Sequence, residues 1–456
     1  MSMNAIRCAL GAALFSVAVI SQAQSKAAID PALAAQIAAI PAIDNHAHPL
    51  LSPPAYATDR NFDALPVDNM EPATDPAGLR PTLPALHEAW QALFHFNGQP
   101  PLDAEGLKQL EAAREATRQQ QGEAYATYIL DHANIATELA NRVAMGTGVQ
   151  PPRFRWVPYI DALLFPLDNS ALATTPDRKQ FFPLEDKLRA QYLQQANLKS
   201  APPTLDQYLK QLIDVILAQQ KSQGAVAEKF EIAYLRSFGF DDVPQTEAAH
   251  IYATLLHTPH PDPTQYKRLQ DFLFRYIAQE CGRLNLPVHI HTTSGGGGYF
   301  DIAGDNPLLL EPLFNDPRLR QTNFVLLHGG WPFVHEIGSL LQKPNVYLDL
   351  SQQSLMISPR TMSTWLREWL ELFPEKILYA TDAYPYSQSM GWEEAAWIAN
   401  QNIRTSLGMA LTGMVQDQQI TPTQAEKLAH QVLHTNAESL YKLHPPPPDS
   451  PPSGRR

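Results

Sequence analysis

Two imidazoles one residue apart, His46 and His48, follow the strand-like run Ile40-Pro41-Ala42-Ile43-Asp44. On an extended strand, residues i and i+2 project to the same face, so both rings can enter one ion's coordination sphere. The pattern returns at the ends of later apolar runs. Leu286 to Ile290 carries His289 and closes on His291, Phe324 to Leu327 closes on His328, and Ile377 to Thr381 closes on Asp382. A single histidine at a strand end is ordinarily a hydrogen-bonding cap. The same arrangement on successive strands points instead to neutral imidazole and carboxylate donors for a divalent cation, of which zinc suits them well.

The elements that must position these residues are short. Each run is almost continuously apolar, as is a further one from Asn345 to Ser351, and helix-like stretches separate them. Such strands indicate a parallel sheet buried on both faces. Polar residues gathered at the C-terminal ends of successive strands mark the active face of a (β/α)8 barrel, so the expected class is α/β with a TIM-barrel architecture.

Asp44-x-His46-x-His48, Leu326-Leu327-His328-Gly329-Gly330 and Thr381-Asp382 together resemble the amidohydrolase superfamily. The closer resemblance is to its amidohydrolase-related branch, which also contains the domain fused to some glutamine-synthetase-like proteins. It covers roughly residues 40 to 445 with gaps; the order of the motifs is specific, while no single motif is. The resemblance implies a metal-dependent barrel, usually with zinc. It assigns His46 and His48 to strand 1, His291 to strand 5, His328 to strand 6 and Asp382 to strand 8. Several branches have a strand-4 lysine that forms a carbamate bridging two metals, and others have one metal and no such lysine. Lys229, near Ala233-Tyr234, stands at the matching place. A bridging carbamate, an ammonium that pairs with a substrate carboxylate, and a plain surface lysine all remain open for it, so one or two ions are expected.

Bound zinc brings the pKa of water down to about 7. Asp382 is then placed to take that proton and pass it to a leaving group. His328 is expected to polarise or hydrogen bond a substrate carbonyl oxygen. His289 has the strand parity of His291 and should face the interior one layer deeper, behind the metal ligands. Arg236 offers an anion-binding group, with a solvated or salt-bridged arginine as the alternative. Trp331 after His328 and Tyr384 after Asp382 would line the pocket mouth or pack on the barrel rim. Gly295 to Gly298, after strand 5, allows close approach of backbone to a ligand or a mobile loop.

The amino terminus sets an expected compartment. Cys8 to Ile20 is apolar, one positive side chain (Arg7) precedes it, and Ser21-Gln22-Ala23 supplies small residues before a cleavage point. That is the pattern of a signal peptide over residues 1–23, too short for a spanning helix, and it predicts a periplasmic or secreted protein starting near Gln24. Cys281 is then the one cysteine left, expected to be a small buried residue and not a nucleophile.

The formal charge is −12, without basic clusters, which argues against nucleic acid or anionic membrane partners. After residue 23 no apolar run approaches the ~20 residues of a membrane span. The barrel is expected over 24–444, with long helical insertions after strands 1 and 3. Residues 50–100 show no sustained period and read as an excursion, while 102–132 is polar and helix-prone. A second excursion runs from 163 to about 217. Asp262 before Pro263 should cap the helix that precedes strand 5. The forty prolines of the chain, well above a usual ~5 %, punctuate the long connections and crowd the tail 445–456, which is expected to be extended or disordered.

The reading these observations support is a metal-dependent hydrolase of an amide, cyclic amide or ester in a small-molecule substrate, compatible with a homo-oligomer. A non-oxidative decarboxylase on the same barrel and a non-catalytic binding barrel are the alternatives.

Overall fold

In the computed structural model, which describes residues 29–66 and 74–443, eight parallel strands surround one interior. They are β1 (Ala42–Ala47), β2 (Ile135–Asn141), β3 (Phe154–Val157), β4 (Glu228–Phe230), β5 (Val288–His291), β6 (Phe324–Leu327), β7 (Val346–Asp349) and β8 (Ile377–Leu378). Continuous ladders, that of β1 with β2 interrupted by register shifts, join β1 to β3 and β4 to β8. Single bridges, Trp156 with Ala225 and Tyr159 with Lys229, close the seam between β3 and β4. At the other seam Asn45 N donates to Tyr379 O at 2.9 Å and Asp382 N to His46 O at 2.8 Å. The sheet therefore closes into a TIM-barrel-like ring.

Period-2 alternation decides what each strand shows to either side. Val325 and Leu327 of β6 join Ile43, Leu139, Val157, Ala227 and Leu378 in the interior core. Their neighbours Phe324 and Leu326, like Val288, Ile290, Val346 and Leu348, pack outward into the larger core shared with the helices. Ala437 and Tyr441, from the helix Asn436–Tyr441, complete the interior core. The barrel centre is thus packed and not a pore, as small barrels require.

The connection from β1 to β2, residues 48–134, contains the helices Ala85–Phe94, Ala104–Gln121 and Tyr125–His132. The first of these falls within the stretch read as irregular. Leu86, Ala89, Trp90 and Leu93 do form a buried 3-4 stripe, but over only ten residues, between Pro84 and the left-handed His95. The connection from β3 to β4 contains Pro176–Gln195 and Asp214–Ser222. Strand 4 is short, because the chain turns at Ile232–Tyr234, one residue after Phe230.

The helix Pro263–Leu284 starts as its sequence requires: the Asp262 carboxylate accepts from Gln265 N and Pro263 takes the first turn. Its buried face includes Leu269, Leu273 and Ile277, with Phe274, Ala278 and Cys281 alongside. Cys281 is buried and free. Phe272 and Tyr276 lie at the edge of this face, half-buried. Among the described residues no helix is long and apolar enough to cross a membrane. The expected signal peptide (1–23) and proline-rich tail (445–456) lie outside the described residues.

Candidate metal centre

The C-terminal ends of β1 and β8 bring three donors together. His46 Nε2 lies 3.2 Å and His48 Nε2 3.5 Å from Asp382 Oδ1, and one ligand atom from each residue lies within 4.8 Å of the others. All three residues are buried.

Local backbone makes this arrangement. Between Asp44 and Ala47, three steps along β1 match two steps along β2. Such a bulge shifts side-chain parity, so that Ile43 can fill the interior core while His46, three residues on, also turns inward. Asp44 then ties the strand to the end of β8, where Thr381 N and Thr381 Oγ1 donate to its carboxylate at 3.0 and 2.6 Å. Asp382 and His328 have φ of 55° and 75°, left-handed values uncommon for residues other than glycine. Gly329 and Gly330 continue the left-handed turn at 63° and 67°. Backbone strain of this kind clusters where a site must hold a side chain in one direction.

His46, His291 and His328 are held neutral, the state in which imidazole binds metal. Burial, and after it the Lys229 charge, holds His46 well below the usual imidazole range. Burial does the same for His291 and His328, where Lys229 again contributes. Burial pushes Asp382 up, opposed by His48, Lys229 and a hydrogen bond from Tyr386, whose Oη lies 3.1 Å from Asp382 Oδ2. Asp44 is pushed up to about 7, also by burial.

The donor set fits a divalent cation. Both nitrogens of His46 are buried without a hydrogen-bond partner, an arrangement that costs free energy unless another group occupies the lone pair. His48 Nδ1 lies 3.0 Å from the Phe62 carbonyl, which can only accept. The ring proton is therefore on Nδ1, and Nε2 presents its lone pair toward Asp382, as metal-binding histidines are commonly held. Tyr159 Oη also approaches His48 Nδ1, at 3.1 Å.

His291 is placed differently from the expected ligand. Its Nε2 donates to Thr293 O at 2.9 Å, leaving only Nδ1 for a cation, and the three-residue cluster does not include it. A peptide carbonyl two residues on captures the nitrogen that strand parity alone would have offered to the metal. The ring remains at the site, 4.5 Å between centroids from His328 and 4.8 Å from Tyr234. His328 Nδ1 is 4.0 Å from Asp382 Oδ2. His289 lies one layer deeper, as its parity indicated: it pairs in register with Lys229 and Val325, meets Tyr441 Oη at 2.7 Å, and burial pushes it down to about 3.

Lys229 is buried in the barrel wall, which removes the surface-lysine reading. Arg236 is not brought to the cluster. Its guanidinium is engaged by Asp271 at 2.6 Å, Gln270 Oε1 at 3.0 Å and Gly239 O at 2.8 Å, so its charge is spent on the helix Pro263–Leu284. Tyr384 stands edge-on to His48 with centroids 5.3 Å apart. The half-buried Trp331 contributes its carbonyl, which accepts from Ser294 N at 2.9 Å and Thr293 Oγ1 at 3.2 Å, joining the loops after β5 and β6. In the same loop a Cβ on Gly295 would lie 2.6 Å from the Tyr234 ring, so a glycine is needed for the close approach. The sequence offered no signal for Tyr441, whereas Tyr159 lies at the end of the strand-3 run and Tyr386 in the aromatic stretch that follows Asp382. Asp349 and Ser351 did lie at the end of a recognised strand.

A closed parallel barrel with two histidines and an aspartate at the C-terminal ends of its first and last strands forms a candidate metal centre. The family model described as amidohydrolase matches residues 245–443, a span with His289, His291, His328 and Asp382 but not His46, His48 or Lys229. Over 191 residues the chain is 31 % identical to Protein fluG of Emericella nidulans, which is 40 % of this chain and 21 % of that protein. The chain thus spans about a fifth of that relative's length. A glucuronate isomerase of Caulobacter crescentus has a similar fold, with a TM-score of 0.58 at 14 % identity over 91 % of this chain and 94 % of that one. So does a protein of Lactobacillus casei described as a candidate metal-dependent hydrolase, with a TM-score of 0.56 at 17 % identity over 91 % and 98 %. Residues 245–443, a little under half of the chain, are thus similar to the amidohydrolase family, and the whole barrel shares its fold with these two structures.

Proposed function

We propose that this protein is a metal-dependent hydrolase that cleaves an amide, cyclic amide or ester bond in a small molecule, with zinc as the resident ion. The observation that carries the reading is the triangle of His46, His48 and Asp382, in which a buried histidine has neither nitrogen partnered. A divalent ion bound there would supply Lewis acidity and lower the pKa of water.

The chain's own residues do the rest. His46 presents a neutral donor, and the Phe62 carbonyl fixes which nitrogen of His48 faces the cluster. Asp382 is the proton acceptor, with Tyr386 holding its second oxygen so that Oδ1 faces the two imidazoles. Tyr384 and the loop after β5 shield this end of the barrel from water, which strengthens electrostatic interactions inside. Lys229 supports either a carbamate that bridges a second ion or a counter-charge for a substrate carboxylate; counting ions per chain and weighing the intact protein for a carboxyl adduct separates the two.

The leader-like residues 1–23 favour action outside the cytoplasm. The experiment for the reaction is an assay of zinc-loaded protein on amides, lactones, esters, aromatic acids and uronates. Hydrolysis abolished by a chelator is the expected result. Carbon dioxide release or aldose–ketose isomerisation without hydrolysis would overturn it.

A further inference from the structure

The hydrogens of one buried chain of polar groups can be assigned, and they all run toward Asp349. This residue ends β7. Its Oδ1 accepts from His328 N at 2.7 Å, Ser351 N at 3.1 Å and Ser351 Oγ at 2.6 Å, and its Oδ2 accepts from Asn45 Nδ2 at 2.8 Å. A hydroxyl has a single hydrogen. With that of Ser351 given to the carboxylate, the 2.8 Å contact between Ser351 Oγ and His328 Nδ1 must be made by an N–H of the ring.

The same reasoning applies on the barrel floor. Asn45 turns its amide nitrogen to Asp349, so its Oδ1 accepts from Tyr441 Oη. Tyr441 has then used its one hydrogen, and the 2.7 Å contact with His289 Nε2 is an N–H of His289 donating to it. His289 Nδ1, the lone pair this leaves, is buried without a partner.

We infer that Asp349, acting through Ser351, holds His328 as the Nδ1–H tautomer and leaves the ring's lone pair on Nε2. Asp349 and Ser351 are positioning residues for this ring. The assignment reverses the role expected for His328 from the sequence, because a neutral imidazole with a lone pair on Nε2 cannot donate from that nitrogen to a carbonyl oxygen. The clamp also explains how His328 keeps a φ of 75°: one carboxylate oxygen grips its backbone N–H directly and its ring through Ser351.

The role in turnover rests on the hydrolase reading, whereas the tautomer does not. Nitrogen-15 histidine labelling of the full chain, free of metal, with long-range proton–nitrogen correlation spectra, reads the tautomer directly. The His328 signals are identified by their loss in His328→Gln. The expected result is a pyrrole-type Nδ1 and a pyridine-type Nε2 in the wild type, a mixed or reversed tautomer in Ser351→Ala, and the wild-type pattern in Ser351→Thr, which keeps the hydroxyl. On an identified substrate, kcat of Ser351→Ala should fall about 10- to 100-fold with KM little changed, and Ser351→Thr should recover it. A wild-type ring protonated on Nε2, or a Ser351→Ala protein with an unchanged tautomer, would overturn the inference. The wild-type tautomer is read whether or not Ser351→Ala folds, once His328→Gln has identified the signals, and absence of any hydrolysis would sink the functional reading while leaving this one to be decided on its own.

Discussion

His46 and Asp382 are joined twice: Asp382 N donates to the His46 carbonyl at 2.8 Å, and His46 Nε2 stands 3.2 Å from Asp382 Oδ1. The first contact is part of barrel closure and the second is half of the candidate metal centre. Residues 336 positions apart are therefore held in register by the same seam that completes the sheet. A site built across that seam exists only when the barrel is closed, so metal binding and folding of the two halves should be coupled.

Removing a ligand should empty the site. His46→Ala and His48→Ala are each expected to lose bound divalent metal, because two remaining donors form an incomplete shell around a strongly hydrated ion. Elemental analysis of dialysed protein measures this, and zinc equal to wild type in both variants would refute the assignment to β1.

Asp382→Asn should retain metal more weakly and lose nearly all turnover. The amide oxygen can still approach an ion held by His46 and His48, but it is a poor proton acceptor. General acid–base catalysis is worth about 10²- to 10⁴-fold, and kcat should fall by that order. His328→Ala should reduce kcat by a similar factor with metal content unchanged.

His289 should give the fold a measurable pH dependence. Its pKa is about 3 when folded, against 6.5 for an unperturbed imidazole, with burial the largest cause. Between those values the unfolded chain takes up a proton that the native chain refuses. The contribution of His289 to stability is thus fully present above pH 6.5 and is lost as pH falls toward 3, with a slope on the order of 1 kcal/mol per pH unit. Urea denaturation of metal-free protein between pH 7 and 5 should show a steeper acid loss for wild type than for His289→Gln; parallel curves would contradict it.

Tyr441→Phe removes one hydroxyl that serves both Asn45 and His289. It leaves two buried polar atoms unpartnered, each costing about 1–3 kcal/mol. A lower urea midpoint at unchanged m-value is the expected outcome, although the substitution lies on the last helix, Asn436–Tyr441, far along the chain from both partners.

Export is checked separately. Expressed with residues 1–23 in a Gram-negative host, the protein should appear in the periplasm beginning at or near Gln24. An intact chain confined to the cytoplasm would refute the leader.

What could be read from the residues is what depends on strand periodicity. His289 and His291 share a face and differ by one layer because β5 is regular, and the apolar runs closing on His328 and Asp382 announced a parallel barrel and the end at which its site lies. Asp262 capped the helix it was expected to cap because capping is decided within one turn. What the tertiary structure decided depends on partners distant in sequence or on broken periodicity. The bulge after Asp44 turns His46 inward against the alternation set by Ile43, and only pairing with β2 reveals it. Thr293 captures His291 Nε2 through a ring rotation that strand parity does not specify. Arg236 is neutralised by Asp271, 35 residues away, and Tyr441 reaches Asn45 across 396. Side-chain identity and period determine which face a donor occupies; the direction of its lone pair is determined by whichever acceptor the fold places beside it.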